Sequence, residues 1–179
     1  PMPMGRIRLY DVVGLDVAAY AGKTMVAAFP DRVLQSPLVE DLVAAGRLGQ
    51  KADHGFYHYR NKKRRAEADA ALNPFIAKHK KGDRGLEAEE IQERLMLPML
   101  LEATRVLDEQ IVENAREVDL GLILGIGFPP FRGGLLFWAD TVGAGEILKK
   151  LERYQGLGPR YEPTERLVQL AETGSKFYD

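Results

Sequence analysis

The chain has 179 residues, 45% of them hydrophobic, with a net charge of −1 and no cysteine. At this length folding buries about 70% of the unfolded surface, enough for one domain or two small ones, while the near-zero charge gives no global attraction to nucleic acid or anionic lipid. Disulfides, thiolate metal sites and cysteine nucleophiles are excluded, no apolar run approaches the roughly 20 residues of a membrane span, and no secretory pattern opens the chain, so a soluble, cytoplasmic protein is expected.

The chain opens on Pro1-Met2-Pro3-Met4-Gly5. Residues 11–29 then read as one helix, with Val13, Val17, Tyr20 and Ala21 on a face, Gly14 and Gly22 as weak points and Pro30 as its end. Ser36-Pro37 predicts an N-cap followed by proline at the first helical position, and Gly46 and Gly49 are natural stops. Phe56-Tyr57-His58-Tyr59 reads as a brief strand or an extended segment packed on helices. The run Lys62-Lys63-Arg64-Arg65 and the alanine-rich stretch after it suggest a charged connecting helix. With no interleaved aromatics, this run reads as a solvated face rather than a nucleic-acid patch. Residues 78–85 are polar and glycine-bearing and suggest a boundary, which divides the chain into a first helical unit over 1–60, a connector over 61–85 and a second unit over 86–179.

A long helix follows, with Ile91, Leu95, Met99, Ala103, Val106 and Leu107 forming a buried stripe. Pro98 within it removes one backbone donor, presses on the Arg94 carbonyl and predicts a kink. Asn114 and Glu117 form a variant capping box for the next helix. Gly125 and Gly127 lie in a glycine-rich turn, but a helical pattern precedes them. Pro129 and Pro130 occupy positions where a phosphate loop needs free N–H groups, so a structural turn is the reading. Further helices are expected over 143–154 and 164–171. The fold class is all-α.

Laid on itself, the sequence repeats. At a shift of 129 residues Asp11 falls on Asp140, Gly5 on Gly134, Ile7 on Leu136, Val13 on Val142 and Gly14 on Gly143. Further on, Leu42-Val43 matches Leu167-Val168, Gly49 matches Gly174, Lys51 matches Lys176 and Phe56-Tyr57 matches Phe177-Tyr178. The second copy has a leading helix pair over 90–124 that the first lacks, so the chain is expected to begin partway through the first copy. Two tandem helical units follow, with Asp11 and Asp140 expected in equivalent places at the starts of equivalent helices.

Several of these stretches carry a family resemblance. Gln92-Glu93-Arg94-Leu95-Met96-Leu97-Pro98-Met99-Leu100, Glu102-Ala103, Asp119 and the turn from Gly125 to Gly134 resemble the C-terminal helical domain of 3-hydroxyacyl-CoA dehydrogenases, most closely the multifunctional fatty-acid oxidation enzymes. Pro3-Met4-Gly5 through Asp11, Gly14-Leu15-Asp16, Phe29-Pro30-Asp31-Arg32 and Ala45-Gly46-Arg47-Leu48-Gly49-Gln50-Lys51 with Gly55-Phe56-Tyr57 follow at family spacing. Arg6 replaces the family's second proline and Asp53 the first glycine of its Lys-x-Gly-x-Gly-Phe-Tyr run, so the backbone there is expected to differ.

The resemblance implies a 6-phosphogluconate-dehydrogenase-like helical domain. It also implies a function: the C-terminal helical region of an NAD-dependent dehydrogenase of fatty-acid β-oxidation, which completes the acyl-CoA and NAD cleft. Hydride passes from the 3-hydroxyl carbon of the acyl-CoA to NAD. The histidine base and its glutamate partner belong to an N-terminal dinucleotide-binding (Rossmann) domain, absent here, so no catalytic residue is assigned and the chain alone is expected to be inactive. The position of the family's assisting asparagine is Glu93 in the second copy, which makes that copy a non-catalytic duplicate. Lys51 matches a lysine used near the cofactor, and Pro3, Met4 and Gly5 match a loop near the substrate; a solvated lysine beside a turn and a plain loop are the alternatives. Implied partners are acyl-CoA, the dinucleotide-binding domain of the same polypeptide, and a thiolase subunit or a second copy. His54 and His58 are four apart, but Gly55 and two aromatics intervene or adjoin, and no metal site is assigned. The Glu87 to Glu93 carboxylates suit a helix start. A free-standing helical assembly or dimerisation module without catalysis is the alternative function.

Overall fold

The structure is a computed structural model that describes residues 4–34, 36–60, 65–82 and 84–178. Its described residues are all-α: helices joined by 3-10 turns, with isolated β-bridges in place of strands. The chain divides into two compact units, an N-terminal one over residues 4–84 and a C-terminal one from Gly85 onward. Most of the basic run, Lys62, Lys63 and Arg64, lies outside the described residues.

In the N-terminal unit the helix expected over 11–29 is two helices, α1 (Arg6–Val13) and α2 (Leu15–Ala28). Gly14 breaks them with φ of 104° and ψ of 129°, a conformation side-chain-bearing residues rarely adopt. Asp11 therefore lies in the last turn of α1, not at a helix start. α3 (Pro37–Ala44) has its proline at the first position as predicted, but the Ser36 side chain makes no cap bond. The unit closes with α4 (Asn73–His79). Leu15, Val39, Leu42 and Phe56 form the core, and Leu72 and Phe75 pack against it.

The return of the chain beneath α1 is fixed by one carboxylate. Asp11 is fully buried and accepts the backbone N–H of Phe56 at 2.8 Å and of Tyr57 at 2.9 Å, and the Tyr59 hydroxyl at 2.8 Å. Gly55 is glycine because a Cβ there would lie 2.1 Å from the Asp11 carboxylate. Arg47, also buried, grips the Gly55 carbonyl at 2.9 and 2.6 Å and the Asp69 carboxylate at 2.5 Å. The aromatic run is neither a strand nor extended: it bends tightly over Gly55 to Tyr57, with isolated bridges His54 to His58 and His58 to Glu67. Asp53 adopts the left-handed φ of 59° that a glycine would supply; aspartate is one of the few other residues that visits this region.

The C-terminal unit is built on α5 (Ala88–Asp108), α6 (Ala115–Ile126), α7 (Leu135–Val142), α8 (Ala144–Glu152) and α9 (Glu165–Thr173). Leu97, Leu100 and Leu101 of α5 meet Leu135 and Leu136 of α7, Ile147 and Leu151 of α8 and Leu167 of α9 in one core. Pro98 sits inside α5 without ending it. The Arg94 carbonyl it deprives of a donor is instead bonded by the Tyr161 hydroxyl at 3.0 Å. Asn114 caps α6 through the Glu117 N–H, while the Glu117 carboxylate reaches the Glu113 N–H rather than that of Asn114. Asp140 accepts the N–H of Phe177 at 2.9 Å and of Tyr178 at 3.1 Å, the pairing Asp11 makes in the other unit.

Removing the Asp11 carboxylate strands two amides and a phenol, and each buried donor without a partner costs about 1–3 kcal/mol. Asp11→Ala is expected to destabilise the N-terminal unit by about 3–5 kcal/mol in urea unfolding followed by resolved NMR signals of that unit, whereas Asp31→Ala, at an exposed position, leaves the midpoint unchanged.

Candidate functional site

Two places hold the residues singled out from the sequence, one in each unit. In the N-terminal unit the Gly14 break turns the first residues of α2 toward the 3-10 turn Gln50–Ala52. Lys51 on that turn places its ammonium 2.5 and 2.6 Å from the two Asp16 carboxylate oxygens. A Cβ on Gly14 would stand 3.1 Å from the Lys51 Nζ, so glycine leaves room for the lysine. The pair lies in water, with the Lys51 side chain 46% exposed, and the bond from Lys51 holds the Asp16 carboxyl below the usual aspartate range. Lys51 is thus a tethered, outward cation rather than a free one. The position matching Asp16 in the second copy is Gly145. Of the proposed substrate loop, Gly5 caps α1 in extended conformation, Met4 is half-buried, and Pro3 lies outside the described residues.

The C-terminal unit contains a cavity of about 370 Å³. Met96, Leu97, Phe128, Pro129 and Trp138 give it apolar walls, and Glu93, Lys150, Glu89, Gln92 and Arg132 the polar ones. Glu93, the position matching the family's asparagine, is buried. One of its oxygens is bonded by Lys150, the other by the Tyr154 hydroxyl at 2.6 Å, with Arg153 at 3.8 Å. Burial alone would push the Glu93 carboxyl up, but Lys150, Tyr154 and the Arg153 charge outweigh it and hold it below the usual glutamate range. Burial and the adjoining carboxylate push the Tyr154 phenol up to about 12. The result is a fixed, saturated anion beside a neutral phenol: a poor proton acceptor at neutral pH. Lys150 and Tyr154 were not singled out from the sequence; Lys150 is in the last turn of α8 and Tyr154 in the turn that follows it.

A carboxyl whose pKa is lower folded than unfolded stabilises the fold above its unfolded value and loses that stabilisation as pH falls through the folded one. The C-terminal unit is therefore expected to weaken below about pH 4.5. Glu93→Gln should lower stability at pH 7, because Lys150 loses its partner, and flatten the acid limb of the profile. Urea midpoints against pH, read by Trp138 fluorescence, check this; parallel profiles for the two proteins would contradict it.

Comparison with known proteins fits this geometry. Residues 1–59 match the family model of the 3-hydroxyacyl-CoA dehydrogenase C-terminal domain. The chain is 40% identical over 182 residues, 99% of its length, to the fatty acid oxidation complex subunit alpha of Ectopseudomonas oleovorans. It is likewise 40% identical, over 98% of its length, to that of Pseudomonas aeruginosa. It spans 26% and 25% of those relatives, about a quarter of their length. In fold it resembles 3-hydroxybutyryl-CoA dehydrogenase from Escherichia coli K12, with a TM-score of 0.73 at 20% identity over 96% of this chain and 52% of that one. The dehydrogenase part of multifunctional enzyme 1 from C. elegans gives a TM-score of 0.68 at 22% identity over 93% and 38%. The likeness to the 3-hydroxyacyl-CoA dehydrogenase C-terminal domain thus lies in residues 1–59, and the similarity to the alpha subunits of fatty acid oxidation complexes runs along the chain throughout.

Proposed function

We propose that the chain acts as the C-terminal helical region of an NAD-dependent 3-hydroxyacyl-CoA dehydrogenase of fatty-acid β-oxidation, working in the cytoplasm behind a dinucleotide-binding domain of the same polypeptide. The observation that carries this reading is the similarity along 99% of the chain to alpha subunits of fatty acid oxidation complexes. The two units are read as copies of one helical design. The first completes the acyl-CoA and NAD cleft, with Pro3, Met4 and Gly5 toward the substrate, and the second is a duplicate that supports contacts with a thiolase subunit or a further copy. The saturated Glu93 supports the non-catalytic role of the second copy.

Bound NAD would accept the hydride; this chain's part is to hold it. The Lys51–Asp16 corner suits that task, since an exposed ammonium kept in place by a carboxylate presents a donor to a phosphate or ribose oxygen and an acceptor to a hydroxyl. One charge-assisted contact contributes roughly 1.5–3 kcal/mol. Lys51→Ala is therefore expected to weaken NAD binding on the order of ten- to a hundred-fold in a polypeptide that carries the dinucleotide-binding domain. Lys176→Ala should leave it near wild type. Equal effects from the two substitutions, or none from Lys51→Ala with folding intact by circular dichroism, would make Lys51 a solvated surface lysine.

A further inference from the structure

The cavity of the C-terminal unit has a direction. Glu89, Gln92, Glu93, Met96 and Leu97 fall at the spacing of one face of α5. That wall changes from polar to apolar over two turns, about 10 Å. Leu97 and Phe128, each 1% exposed, are its most buried lining residues, while Glu89 and Arg132 stand exposed at its rim. At about 370 Å³ the space matches pockets that hold small organic molecules, which are mostly apolar with a few polar groups that fix orientation.

Charge is spent unevenly around the rim. The Glu93 carboxylate is taken up by Lys150 and Tyr154, and Glu89 lies 4.0 Å from the same Lys150 ammonium. Arg132 stands apart. Its backbone is fixed in the 3-10 turn Pro130–Arg132, where its N–H donates to the Pro129 carbonyl at 3.1 Å. Among the described residues, however, its guanidinium has no hydrogen-bond or ion-pair partner.

From this asymmetry we infer that the cavity binds a small free carboxylic acid in its ionised form, with its apolar chain against Leu97, Phe128 and Trp138 and its carboxylate on Arg132. The chain removes apolar lining from water, and the carboxylate matches the fork of donors that a guanidinium presents. An ammonium head is disfavoured: Glu93 has both oxygens occupied, and Glu89, with its side chain 79% exposed, already faces Lys150. A thioester carries no such charge, so the ligand is distinct from the acyl-CoA of the proposed reaction.

Trp138 lines the cavity and is the chain's one tryptophan, so its fluorescence reports occupancy. Octanoate is the probe, with methyl octanoate and octylammonium as its neutral and cationic counterparts. Titrated into the full chain at neutral pH, octanoate should change Trp138 emission saturably and bind roughly tenfold or more tighter than either counterpart. In the same titration the Met96 methyl NMR signal should shift, while that of Met25 in the N-terminal unit stays in place. Arg132→Gln, with circular dichroism unaltered, should weaken octanoate roughly tenfold or more and leave methyl octanoate unchanged. Equal binding of acid and ester, full octanoate affinity in Arg132→Gln, or no saturation below the micelle concentration would overturn the proposal. Met25 shifting together with Met96 would mean general adsorption of an amphiphile and overturn it too.

Discussion

Short helices such as α1 and α7, eight residues each, cannot hold a fold together by backbone hydrogen bonding alone, because half of their amides or carbonyls are unsatisfied at the ends. What fixes them is an aspartate that takes two consecutive backbone N–H groups at once. Asp11 does this for Phe56 and Tyr57, Asp140 for Phe177 and Tyr178, and Asp119 for Leu136 and Phe137. Each carboxylate comes from a helix and closes a distant part of the chain onto it, over 17 to 46 residues. A buried carboxylate is tolerated because both oxygens are occupied by donors. The glycines beside them, Gly55 and Gly134, follow from this packing, since any side chain would overlap the acid.

Much of this was legible in the sequence, but unevenly. The alignment of Asp11 with Asp140 and of Phe56-Tyr57 with Phe177-Tyr178 picked out both ends of two like contacts. The Asn114 cap and the proline at the start of α3 were readable because they act within one turn of chain. The break at Gly14 was half legible: the glycine marked a weak point, but the apolar pattern runs on through it. Ser36 has the chemistry of a cap without making the bond. The consequence of Pro98 was half visible: the lost donor at Arg94 follows from covalent structure, while the Tyr161 hydroxyl that replaces it comes from 67 residues away. Asp53 shows the reverse case, where a departure from the family pattern leaves the backbone in the left-handed region.

The same distinction separates the candidate sites. Lys51 stood out by family position, but its tether depends on Asp16, 35 residues earlier, and on the space left by Gly14. Glu93 stood out as a substitution for an asparagine; its neutralisation by Lys150 and Tyr154 needed the packing of α8 on α5. The first unit keeps an exposed cation beside a turn, while the second spends a buried carboxylate on an internal ion pair.

The central claim is that paired-amide capture by aspartate organises each unit. Native-state hydrogen exchange measured amide by amide on the intact chain tests it most directly. Phe56 and Phe177 lie outside the helices, so ordinary turn amides at those positions would exchange freely. The account predicts that both, together with Leu136 at the otherwise uncapped start of α7, exchange as slowly as core helical amides and far more slowly than Gly156 in its exposed turn. Exchange of Phe56, Leu136 and Phe177 at the rate of Gly156 would contradict it.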